Sequence, residues 1–398
     1  MKQTIIIFHR IPYFKLNYHE IIDHEFYNVV YCSEEPKSDI PDLVSHEYLL
    51  LPNINIIEDI ICYVKRNDLD IVEVIALSEY NLMSAEILRC FLNIKSFSKN
   101  FIFNCRDKGL MKKCIEKKAI KTAKAEIFKR YDELLKLLER NKSIFNGKII
   151  LKPTSGASSE NTFLFDSLKN IVESKSLAEC LKFNTTYLCE QFISGDIYHF
   201  DGLVYNGKLV FSISSKYIGS CLDFSKGIPL GSNQLDNYSF LESWVADCIS
   251  AVELNNGAFH LEGILHNNEM YFLEIGARAG GANVVNCTEY LTGINLMREE
   301  IKIRLHKDKY VLPEINISNN RYGWFVIKRI NTKFTNELIN YLDSSRSVIY
   351  HTINIDNQEN NNSYDAMSNH VTGILSASDS ENTLVKETNK ILKNIWTL

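Results

Sequence analysis

The sequence predicts a multidomain chain of α/β and α+β units, on three observations. The first hundred residues alternate short apolar runs with helical patterns, as an open, mostly parallel sheet requires. From Lys148 to about Leu305 the pattern changes to strands joined by Gly-rich connections, and the last ninety residues mix two strands with a closing helix. At 398 residues the chain is too long for one compact core.

In order, Thr4–Phe8, Val29–Cys32 and Ile71–Ala76 read as strands, and Ile57–Arg66 and Ser84–Leu92 as helices. No G-x-G-x-x-G follows the first strand, which argues against a dinucleotide site there. Arg106 to Arg130 is basic, with ten Lys or Arg against three acids, and reads as one or two amphipathic helices with solvated charged faces. Tyr322–Arg329 and Val371–Ser376 read as strands, Glu381–Ile395 as the final helix, and the Asn-rich stretch Asn357–Asn362 as an exposed loop. The segments expected are 1–105, 106–185, 186–305 and 306–398.

A net charge of -5, with 45% hydrophobic and 23% charged residues, is ordinary for a globular protein and makes no case for nucleic acid or an anionic membrane as partner. The ten cysteines are scattered, without Cys-x-x-Cys or a His/Cys cluster at zinc spacing, which fits a reduced cytoplasm. The amino terminus has no signal-peptide layout, and no apolar run is long enough to span a bilayer.

The most informative segment is Phe259–Ala282, two alternating runs around a polar turn, each with one glutamate in an apolar setting. A three-residue loop at Asn267-Asn268-Glu269 would set Glu262 opposite Glu274, their Cβ atoms roughly 5 Å apart. A two-residue loop would put them on opposite faces. Two carboxylates side by side call for a cation, and Mg²⁺ is usually held by one or two carboxylates and substrate phosphates. Arg278 and Gly280-Gly281 follow, offering a fixed cation and a backbone that anions can approach. The alternative is a solvent-exposed hairpin face.

Three further segments could meet a nucleotide. Gly147–Ser159 is a buried strand ending in Lys152 and a small-residue loop with Ser158 and Ser159, suited to polyphosphate although not the P-loop pattern. Tyr187–Gly202 runs through Glu190-Gln191-Phe192-Ile193 to a turn at Ser194-Gly195 and could line an adenine pocket, or form an ordinary hairpin. Ser212–Asp223 carries a lone Lys216 that could reach a triphosphate or stay solvated.

Together, and in this order, these pieces resemble the ATP-grasp superfamily of carboxylate–amine ligases over essentially the whole chain, most of all its bacterial L-amino-acid ligase and carnosine-synthase type. The resemblance implies the ATP-grasp fold: a Rossmann-like amino-terminal domain, two subdomains clasping ATP, and a small carboxy-terminal α+β cap. The family's "DK" signature matches Asp107-Lys108, its second nucleotide lysine Lys152, and its phosphate-covering loop Thr154–Ser159. Its adenine hinge matches Glu190, Gln191, Phe192 and Ile193, its metal acids Glu262 and Glu274, and its arginine Arg278, with Lys216 a further cation for the reaction. Ser78-Glu79 resembles a turn that lies near the cleft in this group. Two positions depart from the pattern: the ribose acid is replaced by Ile197, with Asp196 beside it, and a metal-binding Asn by Gly276, with Asn283 or Asn286 as substitutes.

The implied cofactors are ATP and Mg²⁺, with Mn²⁺ as a substitute, and the implied partners are a small carboxylate and an amine. Related enzymes are often dimers. The implied reaction phosphorylates a carboxylate to an acyl phosphate that an amine then attacks. A thiol or carrier-protein acceptor, simple phosphotransfer, and a catalytically silent nucleotide-binding protein are the alternatives. No residue stands out as a general base; His199 and His260 are the candidates, with a structural role as the alternative for each.

Overall fold

The computed structural model describes residues 2–35, 39–42, 44–94, 101–156, 159–181, 185–328, 332–353, 370–377 and 380–397. Three sheets carry the architecture. The first holds β1 (Thr4–Phe8), β2 (Asn28–Ser33), β3 (Glu47–Leu50) and β4 (Ile71–Ile75), all parallel in the order β3-β2-β1-β4. Its continuous apolar runs follow from burial on both faces. Ile6, Phe8, Val30 and Val74 pack on helices Ile57–Arg66 and Leu82–Phe91 through Ile60, Val64, Ala85 and Leu88. Ile5, Ile7, Val29 and Tyr31 on the other face meet Ile301 of helix Leu296–His306, which also packs on the third sheet and so ties the two together. The half-buried edge strand β3 was not expected.

The second sheet is antiparallel, with β5 (Ala125–Phe128), β6 (Ile149–Pro153), β7 (Phe163–Phe165) and β8 (Tyr187–Gln191) in the order β5-β8-β6-β7. Helix Phe101–Arg106 leads into the basic segment, which forms helix Lys108–Lys117 and then β5. Asp107 caps the second, its carboxylate accepting from the amides of Gly109 and Leu110, both at 2.9 Å.

The third sheet contains β9 (Asp196–Tyr205), β10 (Lys208–Ile218), β11 (Leu230–Gln234), β12 (Gly257–His266), β13 (Glu269–Gly276), β14 (Arg321–Lys328), β15 (Val348–Ile353) and β16 (His370–Ala377). Its order is β13-β12-β9-β10-β11-β14-β16-β15. The carboxy-terminal strands hydrogen-bond onto β11 through β14, so the cap is continuous with this sheet. The closing helix runs Glu381–Thr397, while Asn357–Asn362 lies outside the described residues. Among the described residues no helix is long and apolar enough to cross a membrane.

The β12–β13 hairpin corrects the expected register. Its loop has two residues, Asn267-Asn268, since His266 pairs with Glu269. Both are in the left-handed region, φ 49° and 61°, as in a type I′ turn. Left alone, this turn would separate the glutamates to opposite faces. A β-bulge restores them: Gly263 pairs with Phe272 but Glu262 with Glu274, leaving Leu273 as the extra residue. Because Asn268 bears a Cβ at positive φ, Asn268→Gly is expected to stabilise the protein by about 0.5 kcal/mol, read as a higher urea midpoint at constant m.

Candidate active site

A cavity of about 470 Å³ lies between the second and third sheets, with β6 and β8 on one side and β9 to β14 on the other. The chain passes from one sheet to the other through Phe192–Gly195, so Tyr187–Gly202 is a crossing between sheets and not a hairpin within one. Only glycine fits at Gly195, where a Cβ would run into the Leu265 carbonyl.

On the second sheet, Glu190 sits between two buried lysines, 3.1 Å from Lys152 and 3.2 Å from Lys112. Burial opposes ionisation of Glu190, but the two ammonium groups outweigh it and hold the carboxyl below its usual range. Burial opposes charge on Lys152 too, yet Glu190, Glu274 and Glu262 keep it above the ordinary lysine value. Lys112, the more buried of the two lysines, is lowered chiefly by burial and donates to Thr122 Oγ1 at 2.8 Å. Glu190, Gln191, Phe192 and Ile193 line the cavity, where Ile150, Leu164, Ile197 and Ile264 form an apolar slot.

On the third sheet, Glu262 and Glu274 face each other across β12 and β13, and both line the cavity. Lys108, at the first position of its helix, reaches Glu274 at 3.4 Å and the Gly156 carbonyl at 3.1 Å. Burial would raise the Glu274 carboxyl, but Lys108, Lys152 and His260 lower it to about 2. Glu262 is fixed from behind: its Oε1 accepts from the Tyr217 hydroxyl at 2.8 Å and from His260 Nε2 at 3.2 Å. His260 Nδ1 donates to Asp201 at 2.7 Å, and Asp201 also bonds His199, whose other nitrogen meets Ser232 at 2.6 Å. Burial alone would discharge His260, but Asp201 and Glu262 raise it to about 10, so the ring is a cation between two carboxylates. His199, bonded to Asp201 and Ser232, does not line the cavity. Two cross-strand carboxylates give an all-oxygen donor set, which suits Mg²⁺ or Mn²⁺ better than zinc.

Arg278 lines the cavity beyond Glu274, its Nε on Glu79 at 2.5 Å and its Nη1 on the Ala279 carbonyl at 2.7 Å. Glu79 reaches it from the turn after β4 and also binds Arg106. Burial raises the Glu79 carboxyl, but the two arginines together hold it low. Gly276 lies beneath this pair: a Cβ there would stand 3.2 Å from Glu79 Oε2, so a larger residue such as asparagine would need Glu79 to give way by a few tenths of an ångström. Asn283 is buried and bonds the Gly373 carbonyl, and Asn286 is exposed; neither lines the cavity.

The remaining expected residues divide. Ser159 lines the cavity, while Ser158 lies outside the described residues. Lys216 and Asp196 bond each other at 2.7 Å, and neither lines the cavity. Strand alternation is the reason, since it turns them to the face opposite their neighbours Tyr217 and Ile197. The sequence reading missed Lys112, Asp201 and Tyr217 as parts of the site.

The same chain path recurs in known structures. An L-amino acid ligase from Bacillus licheniformis matches 98% of this chain and 97% of its own, with a TM-score of 0.74 at 18% identity. An N5-carboxyaminoimidazole synthetase from Staphylococcus aureus, complexed with ADP, matches 98% of each chain with a TM-score of 0.68 at 14% identity. The chain has the ATP-grasp fold. Two curated ATP-grasp relatives align with parts of it. An L-arginine-specific L-amino acid ligase of Bacillus subtilis is 27% identical over 186 residues, 44% of each chain. Dapdiamide A synthase of Enterobacter agglomerans is 24% identical over 230 residues, 54% of this chain and 53% of its own. The chain thus spans about half the length of the curated relatives it matches. No protein-family model matches it.

Proposed function

We propose that the protein is an ATP-dependent carboxylate–amine ligase that joins amino-acid substrates through an acyl phosphate. One observation carries the reading: a single cavity sets two cross-strand carboxylates against two lysines, with a buttressed arginine beside them.

A carboxylate oxygen attacks the γ-phosphorus of ATP, the bond from that phosphorus to the β–γ bridging oxygen breaks, and ADP leaves. An amine nitrogen then attacks the acyl carbon, the carbon–oxygen bond to phosphate breaks, and the nitrogen loses a proton. The chain's part is positioning and charge, as phosphoryl transfer demands. Lys108 and Lys152 face the phosphates, and the slot of Ile150, Leu164, Ile197 and Ile264 encloses adenine beside the Gln191–Ile193 backbone. Glu262 and Glu274 would hold Mg²⁺, which supplies charge neutralisation between phosphate oxygens. Arg278, fixed by Glu79, stabilises negative charge on the acyl phosphate and on the tetrahedral carbon that follows. The reading leaves Lys216 and Asp196 outside the chemistry, and makes Glu190 an anchor for the lysines as much as an adenine contact. Segments 1–105, 106–185, 186–305 and 306–398 are read as the amino-terminal unit, the two clasping units and the cap.

ADP release from Mg²⁺-ATP across a panel of amino-acid pairs tests this. The expected result is stimulation by particular pairs, with a product mass equal to the two acids less water. Tight ATP binding with no stimulation by any carboxylate would refute it, and a thioester mass would move the acceptor to a thiol.

A further inference from the structure

On its β11 and β14 side the lining of the cavity changes character, and this side is treated as its second compartment. Tyr217 marks the divide: its hydroxyl is spent on Glu262 at 2.8 Å, and its ring meets Trp324 edge-on with centroids 6.0 Å apart. Beyond it, β11 and β14 run antiparallel with Leu230 opposite Val326 and Ser232 opposite Trp324. This register sets Leu230, Trp324 and Val326 side by side on the face that bears Tyr217, and all three line the cavity. Leu222 and Phe224 of helix Cys221–Ser225 also line this compartment.

Charge is scarce there and committed. Asp223 Oδ2 accepts from Ser220 at 2.8 Å, and its Oδ1 stands 3.5 Å from Lys226. Arg278 gives its Nε to Glu79 and its Nη1 to the Ala279 carbonyl. A cationic or anionic side chain entering between Leu230, Trp324 and Val326 would lose its water against three apolar side chains, whereas an aliphatic or aromatic one would exchange water for carbon contacts.

We infer that this compartment receives the apolar side chain of the amino-acid substrate whose carboxylate is activated, and that Leu230, Trp324 and Val326 set the preference. The inference rests on the ligase reading and adds the substrate class to it. The carboxylate then lies at the Arg278 side and the side chain points along β11 and β14.

The test uses the full chain with Mg²⁺-ATP and hydroxylamine in place of the unidentified amine, so that each L-amino acid is scored alone as its hydroxamate. Leucine, methionine and phenylalanine are expected to give kcat/KM values at least about 10-fold above arginine, lysine and aspartate, in line with what hydrophobic discrimination can supply. Hydroxamate formed equally or better from the charged amino acids would overturn the inference while leaving the ligase reading standing. No hydroxamate from any carboxylate would overturn both. Leu230→Ala and Val326→Ala, made separately, are expected to raise KM for the preferred amino acid by about 10-fold and leave KM for ATP within about two-fold. Parallel changes in both constants would mark a merely structural role and overturn the assignment of these two residues.

Discussion

Replacing Glu274 with alanine is expected to lower kcat by about 10³-fold or more, with the fold intact. The magnitude follows from losing one of two carboxylates that would hold the metal, because charge stabilisation of a transferring phosphoryl group is worth several kcal/mol and each 1.36 kcal/mol is tenfold in rate. The fold should survive because Glu274 lies near the end of the edge strand β13, partly exposed, with Lys108 as its ion-pair partner at 3.4 Å. Glu262 would be the poorer choice. It is buried and takes up both Tyr217 and His260, so its removal leaves two donors without an acceptor and mixes a stability loss with the catalytic one. Single-turnover ADP formation, far-UV circular dichroism and calorimetric ATP titration measure the three quantities separately. Unchanged turnover in Glu274→Ala would refute the metal assignment.

The paired glutamates were legible in the sequence, but the route to them was not. Alternation in Phe259–Ala282 identified the hairpin and its acids, while a turn of two asparagines and a bulge at Leu273 are two offsetting shifts that composition does not reveal. The same limit applies to the lysines between Arg106 and Arg130. A helix puts Lys112 one turn beyond Lys108 on the same face, and nothing local distinguishes a solvated ammonium from one buried against Glu190, since burial is decided by a strand some eighty residues away. Glu79 was expected near the cleft from the family resemblance alone, whereas its grip on Arg278 depends on two units docking. Conversely, β1 and helix Ile57–Arg66 were found at their observed bounds, because continuous apolar runs and 3.6-residue periodicity are local signals. Lys216 shows the opposite error: a lysine among small polar residues looked available, but strand parity turned it away from the cavity and onto Asp196.

Glu190→Gln is expected to cost about 3–5 kcal/mol of stability, the loss typical when one member of a buried charged cluster is removed. With glutamine at 190, Lys112 and Lys152 face each other across a neutral amide. Lys152 retains Glu274 and Glu262 as neighbours, so the burden falls on Lys112, which keeps Glu274 as a charged neighbour and otherwise meets uncharged acceptors, Thr122 and the new amide. Lys112, already lowered by burial, should be lowered further, so part of the lost stability should return as pH rises. The wild-type chain should show a slope of the same sign at the acid end. Its Glu190 carboxyl is held below the ordinary 4.5, so its contribution is complete above that value and is lost as pH falls through the lowered one. Urea melts of both proteins from pH 4 to 9 read out each slope. The double variant Lys112→Met/Glu190→Gln separates a structural loss from a chemical one: it should recover much of the stability, since an apolar side chain replaces the unpaired ammonium. It should leave KM for ATP raised, because Lys152 has lost the carboxylate that aims it into the cavity. A double variant no more stable than Glu190→Gln would mean that the cluster is held by packing and not by charge.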